Sequence, residues 1–168
     1  MPPSDWLLAH EALLPETADA LDVACGAGRH ALWLAQRGLR VRAVDRDRAA
    51  IDTLNREARQ SGLPLVADVM DLEKGAVDLG RERYGVTVVF SYLHRPLFPA
   101  LIAAMRQGGL LFYETFTRAQ ARRGKPSNPA FLLEEGELLR LTAGLDLIDS
   151  REGEFGGRDI ASVVCRKR

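Results

Sequence analysis

The stretch from Leu21 to Asp45, LDVACGAGRHALWLAQRGLRVRAVD, constrains the fold more than any other part of the chain. It reads as an apolar strand, a glycine-bearing turn, a short amphipathic helix ended by Gly38, and a second strand closing on an acidic residue. Gly26 and Gly28 let the backbone pass close to a ligand where a Cβ would collide. The NH groups that open the helix, near Arg29 and His30, favour an anionic part of that ligand. Asp45 lies 19 positions after Gly26, the spacing of a carboxylate that accepts from ribose hydroxyls. The alternative for Asp45 is a helix cap, but its place at a strand's carboxyl end beside the glycine turn favours ligand contact. The unit is a nucleoside-binding βαβ.

The rest of the chain repeats this alternation. Ser4 to Leu13 is a short helix with Ser4 or Asp5 as N-cap, packed on the sheet edge or serving as a lid that brings Trp6 or His10 to the pocket. Asp47 caps a helix with Ile51, Leu54 and Ala58 on one face, closed by Gly62 and Pro64. Leu65 to Met70 is a third strand, and Asp68 and Asp71 both follow its core. Glu73 to Tyr84 reads as a short helix and loop. Val86 to Tyr92 is apolar on both faces, as a central parallel strand should be. Pro96 at N1 opens a helix with the stripe Leu97, Leu101, Ile102, Met105, ended by Gly108 and Gly109. Leu110 to Glu114 is strand five, followed by a basic loop, Arg118 to Lys125, and a helix over Glu137 to Ala143. Leu145 to Arg151 and Ile160 to Arg166 form a closing hairpin. The expected fold is α/β: a doubly wound, mostly parallel seven-stranded sheet with an antiparallel C-terminal hairpin.

At 168 residues the chain suits one domain spanning 1–168 with a real core. Acidic and basic residues balance at 23 each, so no global field recruits nucleic acid or a membrane surface. The opening Met-Pro-Pro-Ser-Asp-Trp has no basic n-region or apolar run, and a cytoplasmic location is expected. Cys25 and Cys165 are expected in strands, as free buried thiols of a reducing compartment. The three histidines and two cysteines have no metal-ligand spacing. Composition leaves the oligomeric state open.

Two cofactors compete for the βαβ unit. Gly26-x-Gly28-x-x-Ala31 satisfies the dinucleotide fingerprint of an NAD-dependent oxidoreductase. Against it stands Asp22, a charge inside a strand that would otherwise run apolar into its first glycine. The string Asp22-Val-Ala-Cys-Gly26-Ala-Gly28 resembles motif I of the class I S-adenosylmethionine-dependent methyltransferases, although many members have Gly where this chain has Ala24. Further strings, Asp71-Leu72-Glu73, Tyr92-Leu93-His94-Arg95-Pro96, Gly108-Gly109 and Tyr113-Glu114-Thr115-Phe116, resemble a small bacterial branch labelled tellurite-resistance-like. The similarity covers nearly the whole chain and implies a Rossmann-like methyltransferase fold with S-adenosylmethionine as cofactor. By that resemblance, Asp22 supports the loop, and Ala24, Cys25, Gly26, Gly28 and Arg29 cradle the amino-acid end. Asp45 and Arg46 flank the ribose, and Asp71 rather than Asp68 meets the adenine amino group. The Leu72 NH then reads a ring nitrogen, and Ser91 completes the rim.

The methyl group then points toward strands four and five, where a small-molecule acceptor is expected beside Tyr92, His94 and Glu114. His94 is the candidate base, with an ordinary pKa near 6.5, or else a cap for the Pro96 helix. Arg95 either binds an anionic group or pairs with Glu114, and Tyr92 either orients substrate or packs. The basic loop is either a lid or a solvated run. A non-catalytic cofactor-binding module is the competing reading of the same features.

Overall fold

The computed structural model describes residues 1–168. The chain runs α1 (Asp5–Ala9), β1 (Asp19–Val23), α2 (Arg29–Gln36), β2 (Arg40–Asp45), α3 (Arg48–Gln60) and β3 (Leu65–Val69). It continues through β4 (Tyr84–Phe90), α4 (Phe98–Ala104), β5 (Met105–Phe116), α5 (Glu137–Leu141), β6 (Asp146–Phe155) and β7 (Arg158–Arg166). One seven-stranded sheet results, in the order β3-β2-β1-β4-β5-β7-β6. Its first five strands are parallel, and β7 returns antiparallel between β5 and β6. The expected fold class stands. No helix is long and apolar enough to cross a membrane.

The alternation of side chains along each strand divides the core in two. On one face Ala20, Val41, Val88 and Phe112 meet α2 and α3 through Leu34, Ile51 and Leu54, with α1 adding Trp6 and Leu7. On the other, Leu21, Val89, Leu111 and Tyr113 meet α4 and α5 through Leu101 and Leu138. Because both faces are covered, β4 is buried along its whole length. The strand order reverses between β1 and β4, which places the crevice for a ligand above their carboxyl ends.

Several boundaries differ from the sequence reading. Pro96 opens a 3₁₀ turn, Arg95–Leu97, and the α-helix starts at Phe98 with Pro99 in its first turn. That helix ends at Ala104, and Met105 already pairs with Tyr84. Residues 106–109 then bulge opposite Gly85 before Leu110 pairs with Val86. Gly109 permits the bulge: a Cβ there would lie 2.7 Å from the Tyr84 carbonyl oxygen. The segment before Tyr84 forms turns and no helix. Cys25 sits past the end of β1 rather than within a strand, and both cysteines are free and buried.

Candidate active site

Two strand tips turn sharply at the crevice. Ala24 after β1 and Ser91 after β4 adopt φ of 55° and 57°, a left-handed backbone unusual for residues with a Cβ. Both line a cavity of about 300 Å³. On its β2–β3 side the walls are Asp45, Arg46, Met70, Asp71, Leu72 and Glu73. On its β4–β5 side they are Tyr92, Leu93, Thr115, Phe116, Pro126 and Phe131.

The glycine bend is held from two directions. Asp45 accepts from the Gly26 NH at 2.8 Å through one oxygen and from the Asp47 NH at 2.9 Å through the other. Asp47, not Asp45, caps α3, accepting from Ala50. Asp22 lies beneath the bend, buried, and accepts from the Ala31 NH at 3.0 Å. It thereby caps α2, whose own N-cap is Gly28 and has no side chain to offer. Burial raises the Asp22 pKa to about 7; the Ala31 NH opposes this and the charge of Asp45 adds to it.

The two glycines have different tasks. At Gly26 (φ 54°) an added Cβ would enter open space, leaving the backbone free for close approach by a ligand. At Gly28 (φ 82°) a Cβ would lie 2.5 Å from both terminal methyls of Leu54. A side chain at Gly28 would therefore press on α3 through Leu54, so this glycine also serves the packing of α2 against α3.

The β2–β3 side suits a nucleoside. Asp71 faces the cavity, with one oxygen accepting from the Glu73 NH at 3.0 Å and Lys74 at 3.6 Å from the other. Asp68 lies outside the cavity and pairs with Arg42 on β2. Met70 and Leu72 offer apolar surface for a flat ring, and the Leu72 NH has no acceptor within the protein. Free donor, carboxylates and apolar walls together match what adenosine presents.

The β4–β5 side is apolar and aromatic. The Tyr92 hydroxyl reaches Glu73 Oε1 at 3.4 Å, and the Tyr113 hydroxyl donates to the Tyr92 carbonyl at 2.7 Å, fixing this rim. Burial and the neighbouring Glu73 charge raise the Tyr92 pKa, keeping its phenol protonated.

Other expected site residues are held by contacts within the protein. Glu114 is buried on the opposite face of the sheet, accepting from Ser162 Oγ at 2.7 Å, Arg151 at 3.0 Å and Ser4 Oγ at 3.3 Å. The strand's alternation turns it away from the cavity that its neighbour Thr115 lines. Arg95 pairs with Glu137 and not Glu114, through Nε at 2.6 Å and Nη2 at 3.0 Å, and donates to the carbonyls of Ala130 and Leu132. His94 is the half-buried N-cap position of the 3₁₀ turn, outside the cavity walls, and makes no side-chain cap. Arg29 donates to the Pro2 carbonyl, and the Cys25 thiol turns to the Gly26 carbonyl. Helix α1 is no lid: Ser4 is its N-cap, Trp6 Nε1 donates to the Val163 carbonyl, and His10 pairs with Asp149.

Phe116, Pro126 and Phe131 went unassigned in the sequence reading. Phe131 carried a usable signal, a large aromatic residue in a proline-bounded polar loop, and it is half exposed in the structure.

The model of the tellurite resistance protein TehB family matches residues 4–152. The chain belongs to the TehB family. Among curated relatives, hemagglutinin 1 of Eikenella corrodens is 33% identical over 138 residues, covering 79% of this chain and 45% of that protein. The probable S-adenosyl-L-methionine-dependent methyltransferase TehB of Haemophilus influenzae is 29% identical over 87 residues, covering 52% of this chain and 30% of its own length. The chain thus spans less than half the length of the curated relatives it matches. The crystal structure of TehB from Haemophilus influenzae superposes with a TM-score of 0.81 at 20% identity, covering 98% of this chain and 62% of that one. Geranyl diphosphate methyltransferase, solved with geranyl diphosphate and sinefungin, superposes at 0.75 with 17% identity over 98% of this chain and 77% of its own. The fold of this TehB family member is therefore that of the class I methyltransferases.

Proposed function

We propose that this TehB family member is a methyltransferase that moves the methyl group of S-adenosylmethionine to a small-molecule acceptor. One observation carries the reading: Asp45 and Asp71, at successive strand tips, face one cavity that opens beside the glycine bend. In it Asp45 holds the ribose hydroxyls, Asp71 and the Leu72 NH hold the adenine edge, and the open side of Gly26 admits the methionine end. Bound there, S-adenosylmethionine supplies a methyl group on a positively charged sulfur.

The chain's own contribution is alignment, which can supply about 7–11 kcal/mol of a barrier. Tyr92, Phe116 and Phe131 shield the reacting end from water, so that charge is not held in a hydration shell. The dinucleotide reading has less support. The Ala31 NH at the start of α2, where a pyrophosphate would dock, is already taken by the Asp22 carboxylate.

The test is turnover. Protein incubated with methyl-labelled S-adenosylmethionine and a panel of oxygen, nitrogen and sulfur nucleophiles should release S-adenosylhomocysteine with at least one acceptor. Tight cofactor binding with no turnover across the panel would reassign the chain as a non-catalytic binding module.

A further inference from the structure

Phe131 breaks the pattern of its neighbours. Leu132 and Leu133 are buried, whereas Phe131 is 48% exposed and is the only exposed aromatic residue of the chain. It lines the cavity together with Tyr92 and Phe116. An apolar ring left open to solvent keeps its gain on burial for a ligand, provided that the backbone carrying it is held still beforehand.

That backbone is gripped by Arg95. Its Nη1 donates to the Ala130 carbonyl at 3.2 Å and its Nη2 to the Leu132 carbonyl at 3.0 Å, one residue on either side of Phe131. Its Nε and Nη2 also donate to the two oxygens of Glu137, at 2.6 and 3.0 Å, which fixes the plane of the guanidinium. The following residue is tied to β5, where the Leu133 NH donates to the Phe116 carbonyl at 2.9 Å. Arg95 itself sits on the loop leaving β4, just after the cavity residues Tyr92 and Leu93. One side chain thus links the β4 tip to an aromatic ring in the cavity wall, and it does so through a planar fork that a lysine ammonium does not have.

The place of the ring decides which part of a ligand it meets. With adenosine along Asp45 and Asp71 and the methionine end at Gly26, the donor's sulfur lies toward the β4–β5 walls, of which Phe131 is one. A cation set against an aromatic face is attracted by the charge distribution of the ring. Resting on the methyltransferase reading above, we infer that Arg95 is a positioning residue that holds Phe131 against the sulfonium methyl, so that the site prefers the charged donor to its neutral, demethylated product. That preference favours replacement of S-adenosylhomocysteine by fresh donor after each turnover.

Calorimetric titration of the full chain with S-adenosylmethionine and, separately, with S-adenosylhomocysteine tests this, because the two ligands differ only in the methyl group and its charge. Phe131→Leu should weaken S-adenosylmethionine about two- to fivefold, the scale of one cation–aromatic contact, and leave S-adenosylhomocysteine unchanged. Arg95→Gln should give the same selective loss, and the double variant should lose no more than either single one, since the one residue acts through the other. Should Arg95→Gln fail to fold, Glu137→Gln, which loosens the guanidinium on one side, should show a smaller loss of the same selectivity. Equal weakening of both ligands, no weakening of either, or additive losses in the double variant overturns the inference and leaves the methyltransferase reading standing. Failure of S-adenosylhomocysteine to bind the parent overturns both.

Discussion

Asp22→Asn isolates the energetics under the glycine bend. The carboxylate is fully buried and its pKa stands at about 7, against roughly 3.9 in an unfolded chain. The folded state therefore holds this proton more tightly than the unfolded state does. The resulting stabilisation is complete below about pH 4 and is lost as pH rises to about 7, a total near 4 kcal/mol at 1.36 kcal/mol per unit. Asparagine keeps an oxygen for the Ala31 NH and never ionises, so its contribution does not change with pH. Groups that do not sense the Asp22 charge titrate alike in the two proteins and cancel in their difference. Urea unfolding at a series of pH values should show the Asn variant gaining about 2–3 kcal/mol on the parent between pH 5 and 7, then levelling off. A difference that is flat from pH 5 to 8, or an Asn variant that loses ground as pH rises, would refute the reasoning.

Two further outcomes follow from the packing. Gly28→Ala places a methyl 2.5 Å from Leu54 at φ 82°, and left-handed strain plus overpacking should cost about 2–5 kcal/mol in urea unfolding. Glu114→Ala leaves Arg151 without its buried partner and should cost about 3–5 kcal/mol of stability, with the S-adenosylhomocysteine affinity retained because Glu114 faces away from the cavity.

The fold was legible because its signals are local and consistent. The continuous apolar run from Val86, the Asp47 cap and Gly38 each specify an element without reference to the rest of the chain. The α4–β5 junction was not legible. Gly108-Gly109 has the look of a helix stop, and only the closeness of the Tyr84 carbonyl shows that Gly109 serves a bulge inside a strand. In the site, the spacing from Gly26 to Asp45 translates directly into a hydrogen bond, because both ends belong to one βαβ unit. Glu114 was misplaced because the reading treated a strand tip as a point, whereas the two faces of β5 lead to different places: Thr115 to the cavity, Glu114 to Ser162 and Arg151. Arg95 found Glu137 across 42 positions, a partner that no local pattern announces.

The central claim is that Asp45 and Asp71 together receive one adenosine. Calorimetric titration of S-adenosylhomocysteine into the parent and the Asp45→Ala variant tests it most directly. A saturable, one-site isotherm that NADH does not displace is predicted, weakened about 10- to 150-fold by the substitution, the value of a charged hydrogen bond. Equal affinity in the two proteins, or heat from NADH and none from S-adenosylhomocysteine, would contradict it.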